Sequence, residues 1–287
     1  MMKSLIINAD DFGLSPGTNA AIIECHKVGS VSSATMMVNM PAVEIAVVLA
    51  KQNPALGVGL HFNLTSGRPV SSKGEVSSLV GRDDHFFSRS EAEKKAISGQ
   101  FNGEEVRREL ESQLARFRSF GLTPTHLDSH QHIHLYPMVF DVVASLCIEQ
   151  NLPLRLPWAW KPPTVVPLRR RIRMWMLNRM VTRNMKRWGG KLRVNASFAS
   201  IFDFQLNPED ISLESYLKIL QYDHASAFEL MVHPAVVDQG HEQATRISHV
   251  SSIEYDVLKS SDLGALALDL GYGLTDYSMC ELLKKNV

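Results

Sequence analysis

The sequence predicts one α/β domain built on a mostly parallel sheet, rolled into a closed or distorted (β/α) barrel. Two observations predict it. Short apolar runs alternate with longer segments of helical periodicity, the pattern of repeated strand–helix units. Asp10, Asp11, His61, His130, Arg155 and His233 all fall at or just past the C-terminal ends of predicted strands, the edge where (β/α) barrels carry their sites. An open doubly wound sheet would use the same edge, but ligands gathered from many strands favour the barrel. At 287 residues the chain is long enough for one such domain over 1–287, with a basic, Trp-rich insertion at about 157–193.

Each element has its own signal. Residues 4–9 read as a buried strand, and Ser15-Pro16-Gly17-Thr18 as a helix start, with the helix over 19–28 stopped by Gly29. A strand over 32–38 precedes a helix that Pro41 opens and that runs to about 52. Residues 56–61 form the next strand. Polar residues 65–100 read as a long active-site loop with a short helix. Asn102 and Glu105 suggest a capping box for a helix to about 120. Then come a strand at 125–129, a helix at 137–150, a strand at 152–156 and a helix at 168–188. A helix at 214–224, a strand at 227–232, a single helix over 252–270 and a short strand at 272–274 complete the order.

Composition narrows the function. Net charge is zero, and no recognition motif accompanies the local basic run, which argues against nucleic acid. Three scattered cysteines give neither a disulfide framework nor a metal knuckle. The apolar run after Lys3 meets Asp10 at once, unlike a signal peptide, and a cytoplasmic protein is expected. Residues 150–202 carry twelve Lys and Arg, no Asp or Glu and all four tryptophans, leaving eighteen basic against thirty acidic residues elsewhere. That stretch is either a solvated helix face or an interfacial helix peripheral to the inner face of a membrane. An oligomer contact, such as a homodimer, stays open.

Carboxylates and imidazoles from several strand ends suit a catalytic divalent-metal site. Five of the eleven histidines are His61 or lie in His126-Leu127-Asp128-Ser129-His130-Gln131-His132-Ile133-His134. Asp10 and Asp11, adjacent on an extended strand, should point to opposite sides and divide the labour, one binding metal and one handling a proton. His126, Asp128, His130, His132 and His134 share one parity, but a strand ending near 129 or 130 lets only some reach the centre. His61 follows Leu56-Gly57-Val58-Gly59-Leu60, where small residues ease close approach. His233 reads as an acid that protonates a leaving group, or as a capped strand-end histidine. His85, His224, His241 and His249 have no motif and read as surface residues.

Together these stretches, with Asn8-Ala9-Asp10-Asp11-Phe12-Gly13-Leu14-Ser15 and His233-Pro234-Ala235, resemble the YdjC-like carbohydrate deacetylase family, which includes chitooligosaccharide deacetylases. The resemblance implies a TIM-like (β/α) barrel that removes acetyl groups from an N-acetylated amino sugar, in an oligosaccharide or a glycolipid, releasing acetate and a free amine. It implies one divalent metal, Mg²⁺ or Zn²⁺, on Asp11, His61 and His130. Asp10 would be the general base and His233 the general acid, with His126, Asp128, His132, His134 and Arg155 supporting them or touching substrate. The longer, more basic 157–193 region looks more like the hopanoid-biosynthesis-associated branch, whose members are proposed to act on an N-acetylglucosaminyl lipid. The alternatives are a metal-retaining carbohydrate- or lipid-binding protein without turnover, and a metal-dependent esterase or phosphoesterase. Intact Asp10 and His233 weigh against the first, and the missing phosphate-cradling glycine loop against the second.

Overall fold

β1 (Lys3–Phe12) is the central strand and is buried from Leu5 onward. The computed structural model describes residues 2–157, 168–203, 208–221, 226–280 and 283–284. Along it follow α1 (Pro16–Val28), β2 (Ser33–Met36), α2 (Val43–Gln52), β3 (Gly57–Phe62), α3 (Arg89–Ile97), α4 (Gly103–Ser119), β4 (Leu127–Ser129), α5 (Pro137–Glu149) and α6 (Leu168–Trp188). Then come β5 (Arg193–Val194), β6 (Ser197–Ser200), α7 (Leu213–Leu220), β7 (Ala227–Val232), α8 (Gln239–Ala244), α9 (Ser248–Lys259), α10 (Leu263–Asp269), β8 (Tyr272–Thr275) and β9 (Leu283–Lys284). Trp158, Trp160 and His224 lie outside the described residues.

The sheet runs β4-β3-β2-β1-β7-β6, all parallel. At one edge Leu154 bridges Leu127 of β4 to Val194 of β5, which pairs antiparallel with β9 in a separate two-stranded sheet. From β5 the chain passes through Asn195 and Ala196 into β6, so the sheet curls into a distorted barrel. The expected strand at 152–156 is reduced to the single bridging residue Leu154. The Asn195 side chain takes the place of the ladder there: Leu156 N–H donates to its Oδ1 at 2.6 Å and its Nδ2 donates to the Leu156 carbonyl at 2.9 Å. β8 does not extend the ring. It pairs with Lys3–Ile6, before β2 takes over from Asn8.

The helices form where the apolar spacing places them. Ser15 caps α1 by accepting from Thr18 N–H, and Gly29 ends it at φ 98°, a left-handed C-cap that suits glycine. On α4, Val106, Leu110, Leu114 and Phe117 bury one face, each contributing about 1.5–3 kcal/mol. Asn102 caps that helix, but Glu105 does not close a capping box: its carboxylate accepts from Ser78 N–H of the preceding loop. The single helix expected over 252–270 is two, because Asp262 starts α10 afresh by accepting from Ala265 N–H. α8 and the short β5, β6 and β9 were not legible, being too short to carry a period.

The loop after β3 is fixed to α4 by buried polar groups. Glu109 accepts from Val70 and Ser71 N–H at 2.9 Å each, and Gln113 exchanges hydrogen bonds with the Asn63 backbone. These satisfied buried groups hold the chain that leaves the barrel just after His61.

Candidate metal centre and catalytic site

The site begins with a bulge. Between Ala9 and Phe12, β1 advances one residue more than β2, and Asp11 within the bulge has φ 68°. A left-handed conformation at a non-glycine residue costs about 1–3 kcal/mol and gathers at functional sites. Its consequence corrects the parity argument. The adjacent carboxylates do not diverge, because the bulge turns both into the barrel mouth, where Asp10 and Asp11 are each at most 5% exposed.

His61 and Asp128 are register partners on neighbouring strands. Asp128 Oδ1 accepts from His61 Nδ1 at 2.7 Å, which leaves His61 Nε2 facing Asp11 Oδ1 at 3.3 Å. A carboxylate that fixes a ring in this way is the usual partner of a metal-binding imidazole. β4 ends at Ser129, and His130 follows in a tight turn whose next two residues, Gln131 and His132, have φ 55° and 57°. That turn brings His130 Nδ1 to 2.9 Å from Asp11 Oδ1.

Asp11, His61 and His130 form one buried group whose ligand atoms all lie within 4.8 Å of one another. Asp11 Oδ1 lies near both rings, yet no hydrogen bond satisfies it. An orphaned buried carboxylate oxygen between two imidazoles is the arrangement a cation would complete. Burial works against a charge on His61, yet Asp128, Asp11 and Asp10 push it up to about 10. Three carboxylates around one imidazole make the pocket rich in negative charge, which a divalent ion would offset. A second group, Asp10, His61 and Asp128, is equally close. There the positive charge is already present: Arg155 donates to both oxygens of Asp10 at 2.7 and 2.8 Å and lies 2.5 Å from Asp128 Oδ2.

Arg155 is fully buried and also donates to Glu229 at 2.7 Å. Burial alone would raise the Asp10 carboxyl, but Arg155 holds it well below the usual carboxylate range. Asn8 Nδ2 adds a hydrogen bond to Asp10 at 3.0 Å, and the Thr35 hydroxyl one to Asp128 at 3.1 Å. His233, just past β7, sets its Nε2 3.8 Å from Asp10 Oδ2. Its backbone N–H donates to Glu254 of α9 at 2.9 Å, and its Nδ1 is 3.9 Å from the same carboxylate oxygen.

The remaining histidines divide. His134 is buried between the Ser129 hydroxyl and the Arg155 carbonyl, 3.1 Å from its Nε2, so it fastens the turn to the strand end. Burial, helped by Arg155, lowers its pKa to about 3 and keeps it neutral. His126 lies one layer deeper, stacked on Tyr277 at 3.9 Å between ring centroids. It needs Gly59, since a Cβ there would sit 2.5 Å from the His126 ring. His132 stands half-buried edge-on to Phe198 at 5.9 Å, with Nδ1 unpartnered. His241, expected at the surface, is buried: Asp238 caps α8 through the His241 N–H, and His241 Nδ1 pairs with Ser248.

Sequence reasoning missed Glu229, Tyr277 and Glu254. Glu229 interrupts the apolar strand Ala227–Val232, and an acid mid-strand was a readable signal. Burial pushes its carboxyl up to about 7 despite Arg155, and the Tyr277 hydroxyl donates to it. Replacing Arg155 by Met would strand Asp10, Asp128 and Glu229 together, with an expected loss of about 3–5 kcal/mol in urea unfolding. Without the guanidinium, the folded-state pKa of Asp10 rises above its unfolded value, and that of Glu229, already raised by burial, rises further. The deficit should therefore be smaller near pH 5 than near pH 8; an equal deficit at both would argue against stranded carboxylates.

Residues 4–268 match the model of the YdjC-like protein family. The chain belongs to the YdjC-like family. A carbohydrate deacetylase from Brevibacillus brevis is 34% identical over 276 residues, 96% of this chain and 98% of its own. A chitooligosaccharide deacetylase from Yersinia enterocolitica is 33% identical over 285 residues, 98% of this chain and all of its own. The crystal structure of a proposed cellobiose-phosphate cleavage protein from Enterococcus faecalis superposes with a TM-score of 0.75 at 27% identity, covering 96% of this chain and 98% of that one. This YdjC-like chain thus matches its curated relatives in sequence over nearly their full length, and the Enterococcus faecalis protein in fold.

Proposed function

We propose that the protein is a metal-dependent N-deacetylase that hydrolyses the acetamide of an N-acetylated amino sugar to acetate and a free amine. The observation that carries this reading is the pairing of two groups. Asp11, His61 and His130 make a buried, cation-demanding set, and Asp10 and His233 stand beside it with side chains 3.8 Å apart. The names of the full-length relatives support the same reaction class. Two imidazoles and one carboxylate suit Zn²⁺ better than Mg²⁺, which prefers oxygen ligands. Bound there, either ion would polarise the amide carbonyl and acidify water.

The chain's own residues do the rest. Asp10, kept ionised by Arg155, accepts the proton of the attacking water. Arg155 is a positioning residue: its two hydrogen bonds fix the Asp10 plane while Asp128, on the same guanidinium, fixes His61. His233 donates a proton to the departing nitrogen, which otherwise leaves as a poor amide anion. Glu254 holds the His233 backbone N–H and sets a carboxylate oxygen 3.9 Å from the ring Nδ1, and Tyr216 in turn donates to Glu254 at 2.6 Å. The half-buried His132 packs edge-on to Phe198, and the Phe202 ring lies 5.5 Å from His233, so these side chains would flank a substrate held at Asp10 and His233.

The test is acetate release from a panel of N-acetylated mono- and oligosaccharides and glycolipids by the metal-loaded protein. Stoichiometric acetate and free amine support the proposal. Saturable sugar binding with no acetate would favour a binding protein, and release from acetate esters alone would favour an esterase. Replacing Glu254 by Gln should lower kcat about tenfold with little change in KM and move the pH profile of kcat. A change in stability alone would make Glu254 structural.

A further inference from the structure

Among the described side chains of α6, those of the second half pack on the body of the protein. Val181, Asn184 and Met185 are buried, and Asn184 Nδ2 donates to the Leu135 carbonyl at 3.0 Å. In the first half the described large apolar side chains are exposed. Leu168 is 69% and Trp175 59% exposed, with Ile172 and Met176 also exposed. These four recur at i, i+4, i+7 and i+8, one face of the helix. Large apolar side chains lined up in water are costly unless something covers them.

Charge says what that is. Residues 168–193 carry ten Lys and Arg and no Asp or Glu. Beside the apolar face runs an open groove of about 800 Å³ between α5 and α6, lined in part by Arg179, Arg183, Lys186 and Arg187. Asp141 is the one acid among its lining residues, and it is engaged by Arg187 Nη1 at 2.6 Å and Trp188 Nε1 at 2.7 Å. Arg179 sits over the exposed Trp175 ring, 5.0 Å from its centroid, joining the apolar face to the basic groove.

We propose that this face of α6 docks the protein on an anionic phospholipid surface. The apolar residues enter the headgroup boundary, Trp175 lies at its level, and the arginines meet lipid phosphates. Among the described residues no helix is long and apolar enough to cross a membrane, so the contact is peripheral. A second copy of the chain fits worse, since a two-fold contact would set this basic face against itself. Nucleic acid would satisfy the arginines but leave Leu168, Ile172 and Met176 in water. The docking does not rest on the deacetylase reading.

The test is co-sedimentation of the full chain with vesicles of phosphatidylglycerol in phosphatidylcholine, against phosphatidylcholine alone, with no turnover required. Binding is expected only to the anionic vesicles at low ionic strength, fading as salt shortens the Debye length. Each lost cation should weaken it about fivefold, so Arg179→Gln with Arg183→Gln should weaken it about thirtyfold. Ile172→Glu with Trp175→Glu should abolish it at an unchanged melting temperature. The proposal is overturned by absence of binding at low salt, or by equal binding to neutral vesicles. It is equally overturned by a dimer in solution that the Glu variant dissociates, or by capture of inorganic phosphate without vesicle binding.

Discussion

Replacing Asp11, His61 or His130 singly by alanine is expected to remove the bound metal and to lower acetate release by at least about a hundredfold, the scale of losing one electrostatic element of a site. Elemental analysis of the wild type should give one divalent ion per chain rather than two, because Arg155 already fills the space between Asp10 and Asp128. Asp128→Asn should be milder, weakening metal affinity about ten- to hundredfold, since it disturbs only the orientation of His61. Asp11→Gly separates chemistry from folding. Glycine accepts φ 68° without strain, so the melting temperature should hold or rise while metal is lost. Unchanged metal content in all three alanine variants would remove the proposed ligand set.

Much of this site was legible because its residues interrupt strand patterns. Asp10-Asp11 ends one apolar run, His61 another, and His233 a third, and their common position at strand C-termini implied a common edge. What stayed hidden depends on contacts between distant segments. The link from β4 to β5 runs through Leu154 and the Asn195 side chain, and no local period announces a side chain standing in for a ladder. The left-handed Asp11 reversed the expected divergence of the two aspartates, and only the bulge against β2 reveals it. Glu254 is one acid on an amphipathic helix, indistinguishable in sequence from a solvated one. Its burial follows from how α9 packs beneath His233. The three-carboxylate grip of Arg155 needed β1, β4 and β7 to be neighbours of one buried guanidinium, which sequence order alone does not give.

The roles of Asp10 and His233 separate in a second pair of variants. Asp10→Asn should retain metal yet lose about a hundred- to ten-thousandfold in kcat, because a carboxamide cannot accept the proton of the attacking water. The loss should not come from unfolding, since the amide oxygen still accepts from Arg155, which keeps Asp128 and Glu229. His233→Ala should cost about a hundredfold or more on an N-acetyl amino sugar, whose nitrogen must be protonated as it departs. On an aryl acetate, whose phenolate leaves unaided, the same variant should lose far less, while Asp10→Asn loses as much as before. The two substrates therefore read the two ends of the reaction independently. Equal losses for His233→Ala on both would make it a structural neighbour of Asp10, and near-normal turnover by Asp10→Asn would move the base elsewhere. His132, half-buried with its Nδ1 unpartnered, would then be the group to examine.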